Sequence, residues 1–303
     1  MKRIVLGVVA AVATVGLAAC GSSDPLASGS SASVSSGGPI TVGSANFPEN
    51  VLLAEIYAQA LQGQGIQVSK KLNIGSRETY LPALQDGSIN LIPEYTGVLL
   101  QYFDKSATAS SPDDVYAALQ KALPTTLTVL AKSPAQDKDS LVVTKQTATQ
   151  DKLTTIADLG PYASQLVLGG PPEFKTRPTG VPGLTSVYGL TFKEFKPLDT
   201  AGPLTVQALK NGQVQVANLF STDAAIVAND FVVLDDPKNL FGSQNVVPLL
   251  AKAKADPTVT ATLNKVSAAL DTTQLTALVG RVQLDKADPA TVAKDWLTSK
   301  NLA

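Results

Sequence analysis

The 303 residues are 44% apolar and 16% charged, enough apolar material for the packed cores of two ordinary domains. A net charge of −1 with no basic stripe argues against nucleic acid as a partner. Histidine is absent and cysteine occurs once, which excludes Ser-His-Asp and Cys-His catalysis, imidazole-ligated metals and any intramolecular disulfide.

The chain opens on MKRIVLGVVAAVATVGLAAC, with a basic start, an apolar run from Ile4 to Leu17 and small residues up to Cys20. That run is too short to span a bilayer and reads as a secretory signal, residues 1–19. Cys20, in LAAC-G, resembles the lipobox cysteine of bacterial lipoproteins, which becomes the lipidated first residue. Loss of Lys2 and Arg3 with the signal leaves 22 of the 24 basic residues against 25 acidic ones. Residues 20–39 are rich in Ser and Gly and form a flexible tether with a reach of roughly 25 Å. The expected setting is extracytoplasmic, with the lipid as the only hold on the cell membrane.

From Ile40 the pattern turns regular. PITVGSA alternates as a strand, and PENVLLAEIYAQALQGQG follows with helical spacing, Leu52, Leu53, Ile56, Tyr57, Ala60 and Leu61 sharing a face and Gly63 stopping it. IQVSKKL reads as a strand, RETYLPALQDG as a short helix ending on Gly87, and INLI as a strand. This β-α-β-α-β order predicts a mostly parallel sheet with helices on its faces. After a helix at SPDDVYAALQKALP, a second α/β run extends through LVLGG, PLTVQALKNG, VQVANLF and DFVVLDD. VVPLLAK is one more strand, and the tail holds three helices, two opening on Asp-Pro, a strong helix start. The tail is expected to return to the first lobe. Lobe 1 would then comprise 40–137 plus 246–303 and lobe 2 residues 138–245, with crossings near 136–141 and 242–247.

Two stretches 125 positions apart share one pattern, ALQDGSINLIPEYTG from Ala83 and ALKNGQVQVANLFST from Ala208. Gly87 aligns with Gly212, Tyr95 with Phe220 and Thr96 with Ser221. Each Gly ends a helix in a left-handed conformation, and each aromatic lies just past the carboxyl end of a parallel strand. Ligands of open α/β sheets bind beyond those ends, so Tyr95 and Phe220 are expected to wall one cleft. Ser44 and Asn46, leaving the first strand towards a helix N-terminus, would project into the same crevice. Arg177 sits in the Pro/Gly-rich loop GGPPEFKTRPTGVPGL, costly scaffolding for a plain connection.

At this point a family resemblance becomes specific. GSANFPEN, GSRETYLPAL, PEYTG, GGPPEF, GVPGL, QALKNG, FSTD and DPATVAKDWL together resemble the OpuAC-type substrate-binding lipoproteins of osmoprotectant ABC importers, in order and over nearly the whole mature chain. The resemblance implies an α/β, type II periplasmic-binding-protein fold: two lobes of mostly parallel sheet flanked by helices, joined by two hinge crossings. It also implies a monomer that binds glycine betaine, carnitine or choline, delivers it to permease subunits, and uses neither cofactor nor metal.

The chain departs from that family at the cage. Betaine binders surround a quaternary ammonium with aromatic faces. Tyr95 is kept and Phe220 replaces a tyrosine or similar ring. Leu141 stands for the tyrosine of D-S-Y-A-L, Gln244 for that of Y-N-A-A-P, Ala45 for the lysine of G-S-K-N-F, and Val98 for a threonine. Each lost ring forfeits roughly 0.5–2 kcal/mol, and the lost lysine roughly 1.5–3 kcal/mol of charge-assisted bonding. The remaining lining, Ser44, Asn46, Tyr95, Val98, Asp139, Leu141, Arg177, Asn218, Phe220, Ser221 and Gln244, suits a neutral, hydroxylated or aromatic solute. A betaine cage rebuilt by neighbouring residues is the alternative. An enzyme is disfavoured by the missing histidine and by Asp pairs that read as caps or turns; an extracytoplasmic ligand sensor would share the same body.

Overall fold

The computed structural model describes residues 39–303; the signal segment, Cys20 and nearly all of the Ser/Gly tether lie outside the described residues. Its strands are β1 (Ile40–Gly43), β2 (Val68–Lys71), β3 (Leu91–Tyr95), β4 (Leu127–Val129), β5 (Asp139–Thr144), β6 (Val167–Gly170), β7 (Glu194–Pro197), β8 (Val216–Phe220), β9 (Phe231–Val233) and β10 (Val246–Ala251). They form two five-stranded sheets, ordered β2-β1-β3-β10-β4 and β7-β6-β8-β5-β9. Both belong to one compact body.

The two sheets are wired alike. In each, two neighbour pairs are parallel and two antiparallel, because four strands run one way, as the expected mostly parallel sheets require, and one, β10 or β5, runs against them. The crossings explain this. A chain that leaves one half at the carboxyl edge of its parallel strands must enter the other half at the matching edge. Its first strand there runs backwards. Thus β5 starts opposite the end of β8, Asp139 beside Phe220, and β10 starts opposite the end of β3, Val246 beside Tyr95.

The helices are α1 (Pro48–Gly63), α2 (Arg77–Gln85), α3 (Thr96–Phe103), α4 (Pro112–Ala122), α5 (Lys145–Asp151), α6 (Val181–Tyr188), α7 (Pro203–Lys210), α8 (Ala224–Ala228), α9 (Pro257–Ala269), α10 (Thr272–Gln283) and α11 (Pro289–Ser299). The repeated sequence pattern becomes repeated structure: β3 spans 91–95 and β8 spans 216–220, the same 125-residue offset. Gly87 and Gly212 follow α2 and α7 with φ of 83° and 68°, a conformation that a side chain resists.

Helices α9, α10 and α11 pack on α1, and their Leu263, Leu275 and Trp296 join the same core as Leu52, Ile56 and Leu91. Each fully buried leucine or isoleucine there contributes roughly 1.5–3 kcal/mol. Asp256 and Asp288, the residues of the two Asp-Pro starts, accept bonds from Val259 N and Thr291 N, and Asp271 caps α10. Among the described residues no helix is long and apolar enough to cross a membrane.

Between the sheets the chain crosses twice, at 133–138 and 243–246, and the crossings run antiparallel. Ser133 N donates to Val246 O at 2.8 Å, Val246 N to Ala135 O at 3.0 Å and Asp137 N to Gln244 O at 3.1 Å.

Candidate functional site

The loops after β1, β3, β6 and β8 meet at the crossings around a small cavity of about 50 Å³. Tyr95 and Phe220 both line it, so the two rings of the repeat do share one space. A third ring comes between them. Phe47, in the loop after β1, lies 6.2 Å from Tyr95 and 5.0 Å from Phe220, centroid to centroid. Asn50 fixes that loop, accepting from Ala45 N at 2.8 Å and donating to Pro93 O at 3.0 Å. Tyr80 adds a fourth aromatic side chain to the lining.

Of the residues singled out in the sequence, Asn46, Val98, Asp139, Arg177 and Gln244 also line this cavity. Four others do not. Ser44 is buried behind it, its hydroxyl donating to Ala45 O and accepting from Asn73 N at 2.8 Å, where Asn73 has a positive φ. Leu141 is fully buried in the core of the second half. The periodicity of β5 explains this: Asp139 reaches the cavity, and two residues on, the strand has already left its rim. Asn218 is buried and holds Asp139 Oδ1 at 2.9 Å. Ser221 ties the first crossing to the end of β8, accepting from Lys138 N and donating to Asp137 Oδ1. Gln244 lines the cavity with its amide already committed. Its Oε1 accepts from Gly97 N and Val98 N, both at 3.0 Å, and its Nε2 donates to Phe241 O. These bonds satisfy backbone donors that α3 leaves open at its first turn.

The sequence reading missed Phe47, Arg77, Tyr80, Asp137 and Glu173, all of which line the cavity. Arg77 is the clearest loss, because it stands in the quoted GSRETY. It is buried, bonded to Glu94 through Nε at 2.7 Å and Nη2 at 3.0 Å. Burial works against its charge, but Glu94 and Tyr80 outweigh that and raise its pKa. Tyr80 and the backbone N–H of Tyr95 fill the remaining positions on Glu94.

Arg177 crosses the cleft. It binds Glu78 at the start of α2 through Nε at 3.1 Å and Nη2 at 3.0 Å, and Glu173 lies 3.8 Å away. Partial burial disfavours the ionised form of Glu78, yet Arg177 takes its pKa down to about 2.

A third cluster sits where α1 meets the crossings. Glu49 accepts from Tyr95 Oη at 2.7 Å and from Thr222 Oγ1, and Asp137 accepts from Thr222 N and Ser221 Oγ. Burial raises the pKa of both carboxyls, and Asp137 is raised further by Glu49. Asp139, raised by burial, and Asp223, raised by burial to about 6, add to the same tendency. Groups that hold protons more tightly when folded give their full stabilisation below the ordinary carboxylate range and lose it as pH climbs through the raised values. The melting temperature is therefore expected to fall as pH rises from about 5 to about 7, on either side of the value near 6 at Asp223, and Asp223→Asn to flatten that slope. A melting temperature that climbs over this range, or an unchanged slope in the variant, would refute the assignment.

The profile described as the substrate-binding domain of the ABC-type glycine betaine transport system, OpuAC, matches residues 38–299. The chain belongs to the OpuAC family. A glycine betaine-binding protein of Escherichia coli K12, YehZ, is 26% identical over 276 residues, covering 86% of this chain and 90% of that protein. The Helicobacter pylori ergothioneine transport permease/binding protein EgtU is 24% identical over 86% of this chain and 47% of its own length. A crystal structure titled as a glycine betaine/carnitine/choline ABC transporter superposes with a TM-score of 0.68 at 24% identity, over 87% of this chain and 99% of that one. The fold of this OpuAC member is thus the type II periplasmic-binding-protein fold, two mixed sheets flanked by helices.

Proposed function

We propose that this OpuAC member is the extracytoplasmic receptor of an osmoprotectant-type ABC importer, tethered through lipidated Cys20 and acting as a monomer. Its two lobes, 40–137 with 246–303 and 138–245, close on a small solute about the paired crossings, as hinged binding proteins do, and present it to the permease subunits. The family match and the likeness to binding proteins for glycine betaine and ergothioneine support the transport role.

The solute we assign is neutral and hydroxylated or ring-bearing. One observation carries this: both guanidiniums at the cavity are already bonded to protein carboxylates, Arg77 to Glu94 and Arg177 to Glu78. With Ala45 in place of a lysine, no free cation among the described residues lining the cavity awaits a ligand carboxylate. Asp137, Asp139 and Glu173 line the cavity as acceptors for ligand hydroxyls, and Phe47, Tyr95 and Phe220 offer ring faces. A second reading, a quaternary amine, is favoured by those same rings together with the acidic lining.

Thermal-shift and calorimetric titrations with glycine betaine, choline and a neutral polyphenol separate the two. At a hundredfold excess over its Kd the true ligand adds about 2.7 kcal/mol of stability. The polyphenol is expected to give that shift and glycine betaine almost none. Tight glycine betaine or choline binding with an inert polyphenol would overturn the neutral assignment.

A further inference from the structure

Arg177 is held by a residue from the opposite half, and the consequence for selectivity is direct. Its guanidinium lines both the inner cavity and a wider outer groove of about 510 Å³ that also takes in Glu78. Such a group is the natural partner for a ligand carboxylate, because its planar fork matches two oxygens at once. Here Glu78 occupies that fork with both oxygens.

The pair is accessible to competition. Arg177 and Glu78 keep 24% and 48% of their side-chain surface exposed, unlike Arg77 and Glu94 at 7% and 0%. An incoming carboxylate could reach Arg177, but it would have to displace Glu78 with Glu173 nearby at 3.8 Å. One cation then faces three anions.

We propose that Glu78 is a selectivity-determining residue: by filling the Arg177 fork across the cleft it excludes carboxylate-bearing solutes such as betaines. This rests on the neutral-solute reading above and names the residue that enforces it. With Glu78 uncharged, Arg177 Nε and Nη2 are released next to a cavity whose rings can take an ammonium, and the two ends of a zwitterion find partners.

The test compares glycine betaine with choline, which shares the trimethylammonium group and lacks the carboxylate, on the parent and on Glu78→Gln and Glu78→Ala. A latch lost from the closed form weakens both ligands alike and cancels in their ratio. The expected result is a shift of about tenfold or more in the betaine-to-choline affinity ratio towards betaine, abolished when Arg177→Gln is added. An unchanged ratio, or a gain that survives Arg177→Gln, overturns the role of Glu78. If the parent binds glycine betaine tightly, the exclusion by Glu78 fails together with the neutral-solute reading; if it binds choline tightly and glycine betaine weakly, only the neutral-solute reading fails, and the ratio in the variants still reports on Glu78.

Discussion

Glu94→Ala is expected to lower the melting temperature by on the order of 10 °C. The reason lies in what the truncation leaves behind. Arg77 is 93% covered at its side chain and Glu94 fully covered, so the variant buries a guanidinium with no counter-charge. Breaking such a pair from one side costs about 3–5 kcal/mol, and at this chain length each kcal/mol moves the midpoint by about 2 °C. Tyr80 Oη and Tyr95 N lose their acceptor in the same stroke. The control is the double variant Arg77→Met/Glu94→Leu, which removes both charges and keeps apolar volume. It is expected to recover most of the loss, because an apolar replacement of a buried pair is often neutral or stabilising. A single variant that melts within a degree or two of the parent would show that water reaches Arg77 and that the pair does not shape the cavity floor.

The sequence carried the fold further than the site. A helix, a glycine, an alternating strand and an aromatic, written twice at a fixed offset, located β3 and β8 and brought Tyr95 and Phe220 to one cavity. Those are local rules, and local rules are legible. The direction of β5 and β10 was not, because a strand's orientation depends on where the chain enters a sheet rather than on its own residues. Helix α3 was missed for a related reason: it starts directly from β3 without a punctuating turn, and its first donors are satisfied by Gln244, some 146 residues away. Gln244 itself looked like a ligand contact because it replaces a ring in the family pattern, yet its amide serves the backbone. Leu141, placed at the cleft by family position, and Ser44, placed there by its exit from the first strand, both sit behind it. Arg77 and Glu49 went unread because helix-start charges resemble solvated caps until tertiary contacts bury them. Charge partners across a cleft have no sequence period.

Gly97→Ala decides between a local and a long-range rule by the sign of its effect. Gly97 lies in the first turn of α3, where alanine is the better helix former by about 1 kcal/mol, so helix propensity alone predicts a gain. The crossing predicts a loss. A methyl on Gly97 would lie 2.5 Å from Ser243 O, 2.7 Å from Gln244 Nε2 and 3.0 Å from Gln244 Cδ, and the nearest of these is backbone. That backbone cannot withdraw freely, because Thr96 N donates to Asn245 O at 3.0 Å and Asn245 N donates to Thr96 Oγ1 at 3.1 Å. The Gln244 side chain can turn away, but that relieves only its own two contacts, leaves the Ser243 O clash in place and releases Gly97 N and Val98 N; each donor left unpaired costs about 1–3 kcal/mol. The expected outcome is a net loss of about 2–4 kcal/mol, read as a lower melting temperature, with weaker solute binding because Tyr95 and Val98 shift with α3. Gly43→Ala is the comparison: its methyl meets Ile89 Cδ1 at 2.6 Å and Ile74 Cδ1 at 3.1 Å, so it crowds core side chains but breaks no backbone hydrogen bond, and its cost is expected to be smaller. A Gly97→Ala protein that melts higher than the parent would mean that the second crossing yields to the helix, and that the hinge is looser than its hydrogen bonds imply.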